Sequence, residues 1–366
     1  MANVSMKDVA ALAGVSVGTV SNTLNSPDRV SDGTRTRVQA AIDKLGWVRN
    51  ESARQLRAGA SHLIGMVVLD ISNPFFTDVV SGAEDAMAET GYSVHVANSG
   101  QWPDREATHL ERFEQARVAG VLFAPVGELL DRVLRLRSLG IPVVLVDRAA
   151  DAREACSVAV DDIAGGRLAA QHLLEMGHRR IAFVGGPREL SQVESRHRGA
   201  EFAASQYAQA RLIDIPTAAL DLGSGSSAAR TIVEMEPSER PTAVFAANDL
   251  LAIGLLQGLV LEGLRVPEDI AIVGYDDIVF AAAAAVPLSS VRQPRAEIGA
   301  HAARLLLAEI AAQGGEHVHS AIRFTPDLVI RASSSVRRDP DSGAVVQPAG
   351  AVSKRATEVP ITKEGS

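Results

Sequence analysis

The sequence predicts an α/β protein with two parts: an all-helical head at the amino terminus and a larger body of two parallel-sheet subdomains. Residues 6–25 show two short helical patterns on either side of a glycine turn. From residue 63 onward, continuous apolar runs alternate with amphipathic stretches, which is typical of parallel strands covered by helices on both faces. A chain of 366 residues is long enough for two or three domains.

The charge of the chain is unevenly distributed. The formal net charge is −8, yet residues 1–60 hold eight Lys/Arg and five Asp/Glu. A mildly basic head on an acidic body favours a DNA-binding module joined to a domain of another kind. The single cysteine excludes an internal disulfide and a multi-cysteine metal site, and it indicates a reducing compartment. Because the sequence shows no apolar signal segment and no apolar run of membrane-spanning length, we expect a cytoplasmic protein without a membrane partner.

The head, residues 1–50, has the pattern of a helix-turn-helix unit followed by a third helix. Ser5 and Ser16 stand at N-cap positions, and Gly14 permits the sharp turn between the first two helices. Ser31 opens the third helix. The second helix of such a unit fits the major groove, so the head is expected to bind double-stranded DNA.

The body repeats its strand-and-helix pattern once up to about residue 160 and again from about residue 163. This repetition predicts two similar subdomains with a cleft between them. Ligands of such sheets bind beyond the carboxyl ends of the strands, where this chain has polar and aromatic residues. Asp161 and Asp162 are interpreted as caps of the helix that follows them.

Nine motifs, three in the head and six in the body, carry a family resemblance. The head contains DVAALAGVSVGTVSNTLN, VSDGTRTRVQAAIDKLGWVRN and SARQLRAG. The body contains NPFF, GIPVVLVDR, LLEMGHRRIAFVGGP, FAANDLLAIGLL, EDIAIVGYDD and PLSSVRQP. From Val4 to about Ser334, the chain resembles the lactose/galactose repressor (LacI/GalR) family, whose body is similar to periplasmic sugar-binding proteins. The resemblance implies a DNA-binding transcriptional regulator rather than an enzyme.

The resemblance also implies which residues of the head contact DNA. Val17, Gly18 and Asn22 match positions that face base edges, and many relatives carry arginine in place of Asn22. Asparagine suits adenine whereas arginine suits guanine, so we expect an altered base preference at that step. The other expected contacts are those of Ser16, Thr19, Ser21, Asn25, Arg35, Arg54 and Leu56. Capping and solvation are the alternative roles of the three hydroxyl-bearing residues in this set.

Residues 51–60 are too short for a stable isolated helix. A flexible linker is one interpretation. The resemblance implies a hinge helix that forms on operator DNA, where two copies lie in the minor groove and Leu56 wedges between base pairs.

For the body, residues 61–333, the resemblance implies a small-molecule effector site in the cleft. The residues carried over by matching motifs are Phe75, Phe76, Asp147, Arg148, Arg196, Asn248 and Asp276. Aromatic, acidic, amide and guanidinium groups suit a polyhydroxylated ligand, a sugar or sugar phosphate. Arg198 is a rival for the role of Arg196, and the loop expected at residues 222–227 lacks the aromatic that some relatives carry. No cofactor, metal or catalytic residue is expected, and a purine or other metabolite acting as corepressor is the alternative effector.

The resemblance further implies a homodimer that binds a palindromic operator and represses carbohydrate-utilisation genes. The expected dimer surface includes residues 76–88, 99–113 and 280–286, and chain crossings between the subdomains are expected near residues 161, 293 and 324. Residues 334–366 are rich in Ser, Pro, Gly and charge, and are expected to be a disordered tail.

Two hypotheses from other classes of protein, an enzyme and a transport protein, compete with a transcriptional regulator. Gly14–Gly18 matches the G-x-S-x-G turn of hydrolases, but that turn needs a preceding strand and here follows a helical pattern. A transport-type sugar-binding protein fits the body alone but does not account for the head.

Overall fold

The computed structural model describes residues 4–47, 61–127, 130–151, 153–312, 317–336 and 338–339, in two compact units that divide at Ser61. The helices are α1 (Met6–Ala13), α2 (Val17–Asn25), α3 (Asp32–Leu45), α4 (Pro74–Met87), α5 (Pro103–Gln115), α6 (Leu130–Ser138), α7 (Asp162–Glu175), α8 (Ser191–Ser205), α9 (Leu222–Glu234), α10 (Asp249–Leu261), α11 (Val279–Ala283) and α12 (Arg295–Ala311). The strands are β1 (Leu63–Val68), β2 (Ser93–Asn98), β3 (Gly120–Phe123), β4 (Val143–Val146), β5 (Cys156–Val160), β6 (Arg180–Val184), β7 (Arg211–Ile215), β8 (Ala243–Ala246), β9 (Ala271–Asp276), β10 (Ser289–Arg292), β11 (Ala321–Phe324) and β12 (Asp327–Val329). None of the helices in these ranges combines the length and the apolar composition needed to cross a membrane.

The head is a three-helix unit held by caps and a small core. The carboxylate of Asp8 accepts hydrogen bonds from the Ser5 backbone N–H at 2.8 Å and the Ser5 hydroxyl at 2.7 Å, which secures the start of α1. Gly14 has a left-handed backbone conformation, with φ of 64°, and ends α1. Each of the three helices contributes one completely buried valine to a shared core: Val9, Val20 and Val38. The head therefore has a hydrophobic core of its own.

Each subdomain of the body is built on a six-stranded sheet. The first sheet has the order β11-β5-β4-β3-β1-β2 and is parallel throughout. The second has the order β12-β10-β9-β8-β6-β7 and is parallel except for β12, which pairs antiparallel with β10. Central strands such as β4, with the sequence VVLV, are buried along their whole length, as strands covered on both faces require. The parallel α/β fold class expected from the apolar runs is confirmed.

The chain passes between the two sheets three times. It leaves the first sheet after β5, returns after β10, and leaves again between β11 and β12. The last passage is short, because Phe324 ends β11 and Asp327 begins β12.

Helices α7 and α8 pack closely through a pair of glycines. A Cβ atom added to Gly166 would lie 2.0 Å from the carbonyl oxygen of Arg196, and one added to Gly199 would lie 2.1 Å from that of Ile163. Both distances are far below van der Waals contact with backbone atoms, so side chains at these positions would push the helices apart. The two glycines therefore fix the position of α8, which carries Arg196.

Two expectations about the body need correction. The expected loop at 222–227 is the first part of α9, with Asp221 as its N-cap, accepting a hydrogen bond from the Ser224 backbone N–H at 2.7 Å. The expected tail begins too early, because Ser334 is completely buried and the Arg338 backbone N–H donates to the Met176 carbonyl at 2.7 Å. The tail beyond residue 339 lies outside the described residues.

Candidate functional site

The carboxyl ends of the strands in both sheets face a cleft between the subdomains. A cavity of about 30 Å³ lies there, with room for about two water molecules, so protein side chains fill most of the cleft. Six of the seven residues expected to face an effector line this cavity: Phe75, Phe76, Asp147, Arg196, Asn248 and Asp276. Arg148, half-buried after β4, lies outside the cavity lining.

Arg196 is held rigidly at the centre of the cleft. Its side chain is buried, and its Nε donates to Asp162 Oδ1 at 2.8 Å while Nη1 donates to the Ala247 carbonyl at 2.8 Å. The guanidinium also lies over the Tyr275 ring, 3.7 Å from the ring centroid. Although burial acts to lower it, neighbouring carboxylates hold the pKa of Arg196 above its usual range. Arg198, its rival, is exposed, so the geometry favours Arg196.

Asp276 ends β9 and receives amide donors from two directions. Its Oδ2 accepts from Asn73 Nδ2 at 3.1 Å, and its Oδ1 accepts from Gln293 Nε2 at 2.7 Å. Arg196 Nη1 lies 3.9 Å from the same Oδ1. Burial raises the pKa of Asp276, while Arg196 and the two amides oppose this rise. The carboxylate is thus already coordinated by protein groups that a ligand would have to share or replace.

Asp147 follows β4 and offers an unused acceptor to the cleft. The Gln192 amide donates to Asp147 Oδ2 at 3.0 Å and to its backbone carbonyl at 2.8 Å. Its Oδ1 is buried and has no hydrogen-bond partner within the described part of the chain. Burial raises the pKa of Asp147 to about 8, the Asp162 carboxylate adds to this rise, and Arg196 opposes it. A buried, unpaired carboxyl oxygen is a position at which a ligand hydroxyl would be stabilised.

Asp162 has a different role from the expected cap. Asp161 is the N-cap of α7, accepting from the Ala164 backbone N–H at 3.0 Å, whereas Asp162 forms a buried ion pair with Arg196. Three carboxyl groups, those of Asp147, Asp162 and Asp276, therefore act on the charge of Arg196. Even with Asp147 protonated, the carboxylates of Asp162 and Asp276 outnumber the single guanidinium, which disfavours an anionic ligand.

Amide side chains on both sides of the cleft donate hydrogen bonds that join the subdomains. Asn73, the N-cap of α4 in the first subdomain, donates to Asp276 in the second. Gln192 of α8 in the second subdomain donates to Asp147 in the first. Three residues at the cleft were not predicted as site residues, namely Asn73, Gln192 and Gln293, although Asn73 belongs to the NPFF motif.

The aromatic and amide residues complete the lining. Phe75 and Phe76 are buried and form an edge-to-face pair with centroids 4.9 Å apart. Asn248 is the N-cap of α10: its Oδ1 accepts from the Leu251 backbone N–H at 2.9 Å and its Nδ2 donates to the Leu220 carbonyl at 3.1 Å. Phe75 thus belongs both to the core and to the cavity wall.

The candidate DNA-contacting residues of the head lie mainly on the outer face of α2. Val17, Gly18 and Asn22 are exposed, and Thr19 and Ser21 are half-buried. An exposed helix face with short side chains at its amino end is suited to enter a major groove.

The remaining candidates in the head have local partners. Ser16 Oγ accepts from the Thr19 backbone N–H at 3.1 Å, so Ser16 caps α2, and it follows a helix rather than the strand that a hydrolase turn needs. Asn25 Nδ2 donates to the Ser21 carbonyl at 2.9 Å, and Arg35 pairs with Asp32 at 2.5 Å on the surface. Arg54 and Leu56 lie outside the described residues.

Comparisons with known proteins agree on both parts of the chain. Residues 5–50 match the bacterial regulatory proteins of the lacI family, and residues 170–334 match a periplasmic binding protein-like domain. The HTH-type transcriptional repressor PurR of Aliivibrio fischeri (strain MJ11) is 33% identical over 335 residues, covering 90% of this chain and 98% of that protein. The ribose operon repressor of Bacillus subtilis (strain 168) is 38% identical over 309 residues, covering 84% and 92%. The crystal structure of the lac repressor dimer bound to operator and the anti-inducer ONPF has a TM-score of 0.75, at 26% identity, covering 90% and 99%.

A helix-turn-helix head joined to a two-subdomain body with a polar cleft defines a DNA-binding transcriptional regulator, not an enzyme. The relatives match along nearly the whole chain at identities above 30%. The chain belongs to the lacI family of bacterial regulatory proteins.

Proposed function

We propose that this protein is a cytoplasmic repressor of carbohydrate-utilisation genes that binds a palindromic operator as a homodimer and responds to a free, unphosphorylated sugar in the cleft. The observation that carries the effector class is the charge of the cleft. Three carboxyl groups surround the guanidinium of Arg196, and Asp147 presents a buried oxygen without a partner in the described residues. Sugar hydroxyls donate to carboxylates and accept from guanidinium groups, so they match this lining.

The same lining distinguishes a free sugar from a sugar phosphate. A phosphate group carries up to two negative charges at neutral pH and would face the carboxylates of Asp162 and Asp276 in a buried site, with Asp147 adding a further negative charge as the pH rises past its pKa of about 8. Arg196, the cation at the centre, is already paired with Asp162 and the Ala247 carbonyl. We therefore expect a free sugar to bind and its phosphate ester to be rejected.

The proposed response follows from the hydrogen bonds that cross the cleft. A ligand whose hydroxyls bond to Asp276 and Asp147 competes with Asn73 and Gln192, the amides that link the two subdomains. Ligand binding thereby shifts the equilibrium between two arrangements of the subdomains. The size of the shift is set by the difference between the ligand's affinities for the two arrangements. We expect the sugar to act as an inducer that releases operator DNA.

The proposed operator complex pairs two heads with two half-sites about one helical turn apart. The lac repressor dimer bound to operator, which shares the fold, supports this arrangement. The hinge helix at 51–60, with Arg54 and the Leu56 wedge, stays a prediction because these residues lie outside the described ranges.

A thermal-shift screen of the full-length protein tests the effector class. The panel contains free pentoses and hexoses, their phosphate esters, and purine bases. We expect a free sugar to raise the Tm, since a ligand at 100 times its Kd stabilises the folded state by about 2.7 kcal/mol. Asp276→Asn should abolish the shift, whereas Asp327→Asn, at an exposed position of β12, should retain it. A shift with phosphate esters alone would overturn the effector class.

A purine corepressor is the second candidate. The relative named PurR and the Phe75–Phe76 pair in the cavity wall, on which a planar base can pack, favour it. The same screen separates the two candidates. Fluorescence anisotropy with a selected operator then shows whether the ligand weakens or strengthens operator binding. A sugar that raises the Tm should weaken operator binding, whereas a purine corepressor should strengthen it.

A further inference from the structure

Four side chains with metal-binding atoms converge at the edge of the first sheet, away from the cleft. They are those of Cys156, Glu309, His317 and His319, and one ligand atom of each lies within 4.8 Å of all the others. Cys156 Sγ is 3.2 Å from His317 Nε2 and 3.5 Å from His319 Nδ1. Glu309 Oε2 is 4.0 Å from each of the same two nitrogens. We call these four residues the β5–β11 edge cluster.

These separations match those between the ligands of a tetrahedral ion. With metal–sulfur and metal–nitrogen bonds of about 2.3 and 2.05 Å, the edges of a Zn²⁺ tetrahedron are about 3.4–3.6 Å long. Four of the six separations are 3.2–4.0 Å, within about 0.6 Å of these edges, and the other two are at most 4.8 Å. A small contraction on the glutamate side would therefore complete the coordination shell.

Three different elements deliver the ligands. Cys156 is the first residue of β5, and Glu309 lies in the last turn of α12. His317 and His319 precede β11, which pairs with β5, and the intervening Val318 is 85% exposed. Both imidazoles face the cysteine, whereas the side chain of Val318 between them faces solvent.

The glutamate supplies an independent sign that the cluster is incomplete as protein alone. Glu309 Oε2 is buried, and within the described residues it accepts no hydrogen bond. The thiol does have a partner of the kind that metal-bound sulfur commonly has, because the Ser320 backbone N–H donates to Cys156 Sγ at 3.4 Å.

We propose that the β5–β11 edge cluster is a four-coordinate site for Zn²⁺, with one thiolate, two imidazoles and one carboxylate as ligands. Thiolate and imidazole donors in tetrahedral order favour zinc over magnesium or calcium, which prefer oxygen. The four ligands come from the protein, so the site would be structural. The ion would join the carboxyl end of α12 to the edge of the first sheet.

The contact that Arg137 makes in the structure conflicts with metal binding through His319. Its Nη2 lies 2.6 Å from His319 Nε2 and can only donate there, whereas a metal-bound imidazole normally donates its second N–H to an acceptor. Metal binding through Nδ1 therefore requires Arg137 to give up this contact. Arg137→Gln, which offers a carbonyl acceptor, should tighten metal binding about 10-fold, a typical effect of changing a hydrogen bond to a ligand. Equal or weaker binding in this variant would overturn the assignment of Nδ1 as the ligand atom.

Titration of the chelator-treated, full-length protein with Co²⁺ alone tests the site. Tetrahedral Co²⁺ bound to thiolate gives a sulfur-to-metal charge-transfer band and intense visible bands, and Zn²⁺ should displace it. We expect one ion per chain in the wild type, loss of the charge-transfer band in Cys156→Ser, and an affinity at least about 100-fold lower in His319→Ala and His317→Gln. His95→Ala removes an exposed imidazole on β2 and should leave binding unchanged.

A second readout guards against variants that fail to fold. Zn²⁺ should raise the Tm of the wild type and of His95→Ala but not that of His317→Gln, whose unfolding without metal serves as the folding control. The proposal is overturned by the lack of a stoichiometric site in the wild type, or by binding that survives both Cys156→Ser and His319→Ala.

Discussion

Asp147 and Asp276 each lie at the end of a parallel strand, in a backbone conformation that residues other than glycine seldom adopt. Their φ angles are 56° and 104°. Such conformations cost of order 1–3 kcal/mol each and persist when the surrounding structure fixes them. Here they aim two buried carboxyl groups into the cleft, so backbone strain and the cost of burying an ionisable group fall on the same two residues.

Asp147→Asn should stabilise the protein without ligand at alkaline pH. Burial raises the pKa of Asp147 to about 8, so the folded state binds more protons than the unfolded state, whose Asp titrates near 3.9. The contribution of this group to the free energy of unfolding therefore falls as the pH rises from about 4 to about 8. We expect the Tm of the variant to exceed that of the wild type by about 2–4 °C at pH 8, and the difference to shrink toward pH 5.

Differential scanning fluorimetry across that pH range measures the effect. Asp327→Asn, at an exposed position, is the matched control and should show no such pH-dependent gain. A variant at position 147 that is no more stable than the wild type at any pH would contradict the argument.

Asn22→Arg should change the operator that the protein selects. Asn22 is exposed on α2, and arginine pairs with the two acceptors of guanine where asparagine pairs with adenine. We expect adenine to be replaced by guanine at one symmetric position, with about 10- to 100-fold discrimination. Binding-site selection followed by sequencing gives the result. Gln39→Arg adds the same charge at an exposed position of α3 and should leave the consensus unchanged; one consensus for all three proteins would mean that residue 22 reads no base.

At the scale of elements, the glycine contact between α7 and α8 determines where Arg196 lies. We expect Gly166→Ala to lower the free energy of unfolding by about 1–3 kcal/mol, because the new methyl group meets the backbone of α8. The sugar response should weaken as well, since α8 carries Arg196. Urea unfolding measures the first effect and the thermal shift the second.

The matched control for this substitution is Gly223→Ala in α9. A Cβ there meets only Asp221 Oδ1, at an ordinary 3.6 Å, so the change should be neutral or stabilising by up to about 1 kcal/mol. Equal effects at positions 166 and 223 would refute the packing argument.

Some elements could be predicted from the sequence and others could not. The apolar runs predicted strands such as β4, because a strand buried on both faces is apolar at nearly every position. The loop that the family resemblance implied at residues 222–227 was wrong, although the Gly-Ser-Gly stretch there locally disfavours a helix. In the structure, Gly225 instead allows α9 to approach α10, where an added Cβ would lie 2.2 Å from the Leu251 carbonyl oxygen. A tertiary contact thus outweighs a local preference.

The residues of the candidate site likewise divide into those that could be predicted from the sequence and those that could not. The acidic and aromatic residues could be predicted because they follow strands in recognisable motifs. Arg196 and Arg198 could not be told apart, because two residues on a helix differ by about 200° in direction and only the packing decides which one faces inward. Asn73 and Gln192 were missed because their partners belong to the opposite subdomain, far away in sequence.

At the scale of the whole molecule, the proposed dimer predicts a role for the exposed end of α11. Phe280 is 54% exposed and lies in the stretch expected to form dimer surface. Phe280→Asp should shift the protein toward monomer in analytical ultracentrifugation and lower specific operator affinity at least about 100-fold, because the two heads are no longer linked.

Phe202→Asp on α8 is the control for this prediction. Phe202 is 56% exposed and lies outside the expected surface, so its substitution should leave assembly unchanged. If both variants remain dimeric, the surface has been assigned wrongly.

The order of the strands along the chain has a consequence for folding during translation. Residues 321–324 and 327–329 add one strand to each sheet, so neither half of the body is finished until almost the last described residues are translated. The head encloses its own core within the first 47 residues and needs nothing downstream to complete that core. A message truncated before codon 321 would therefore give a polypeptide with an intact DNA reader and an unfinished sensor.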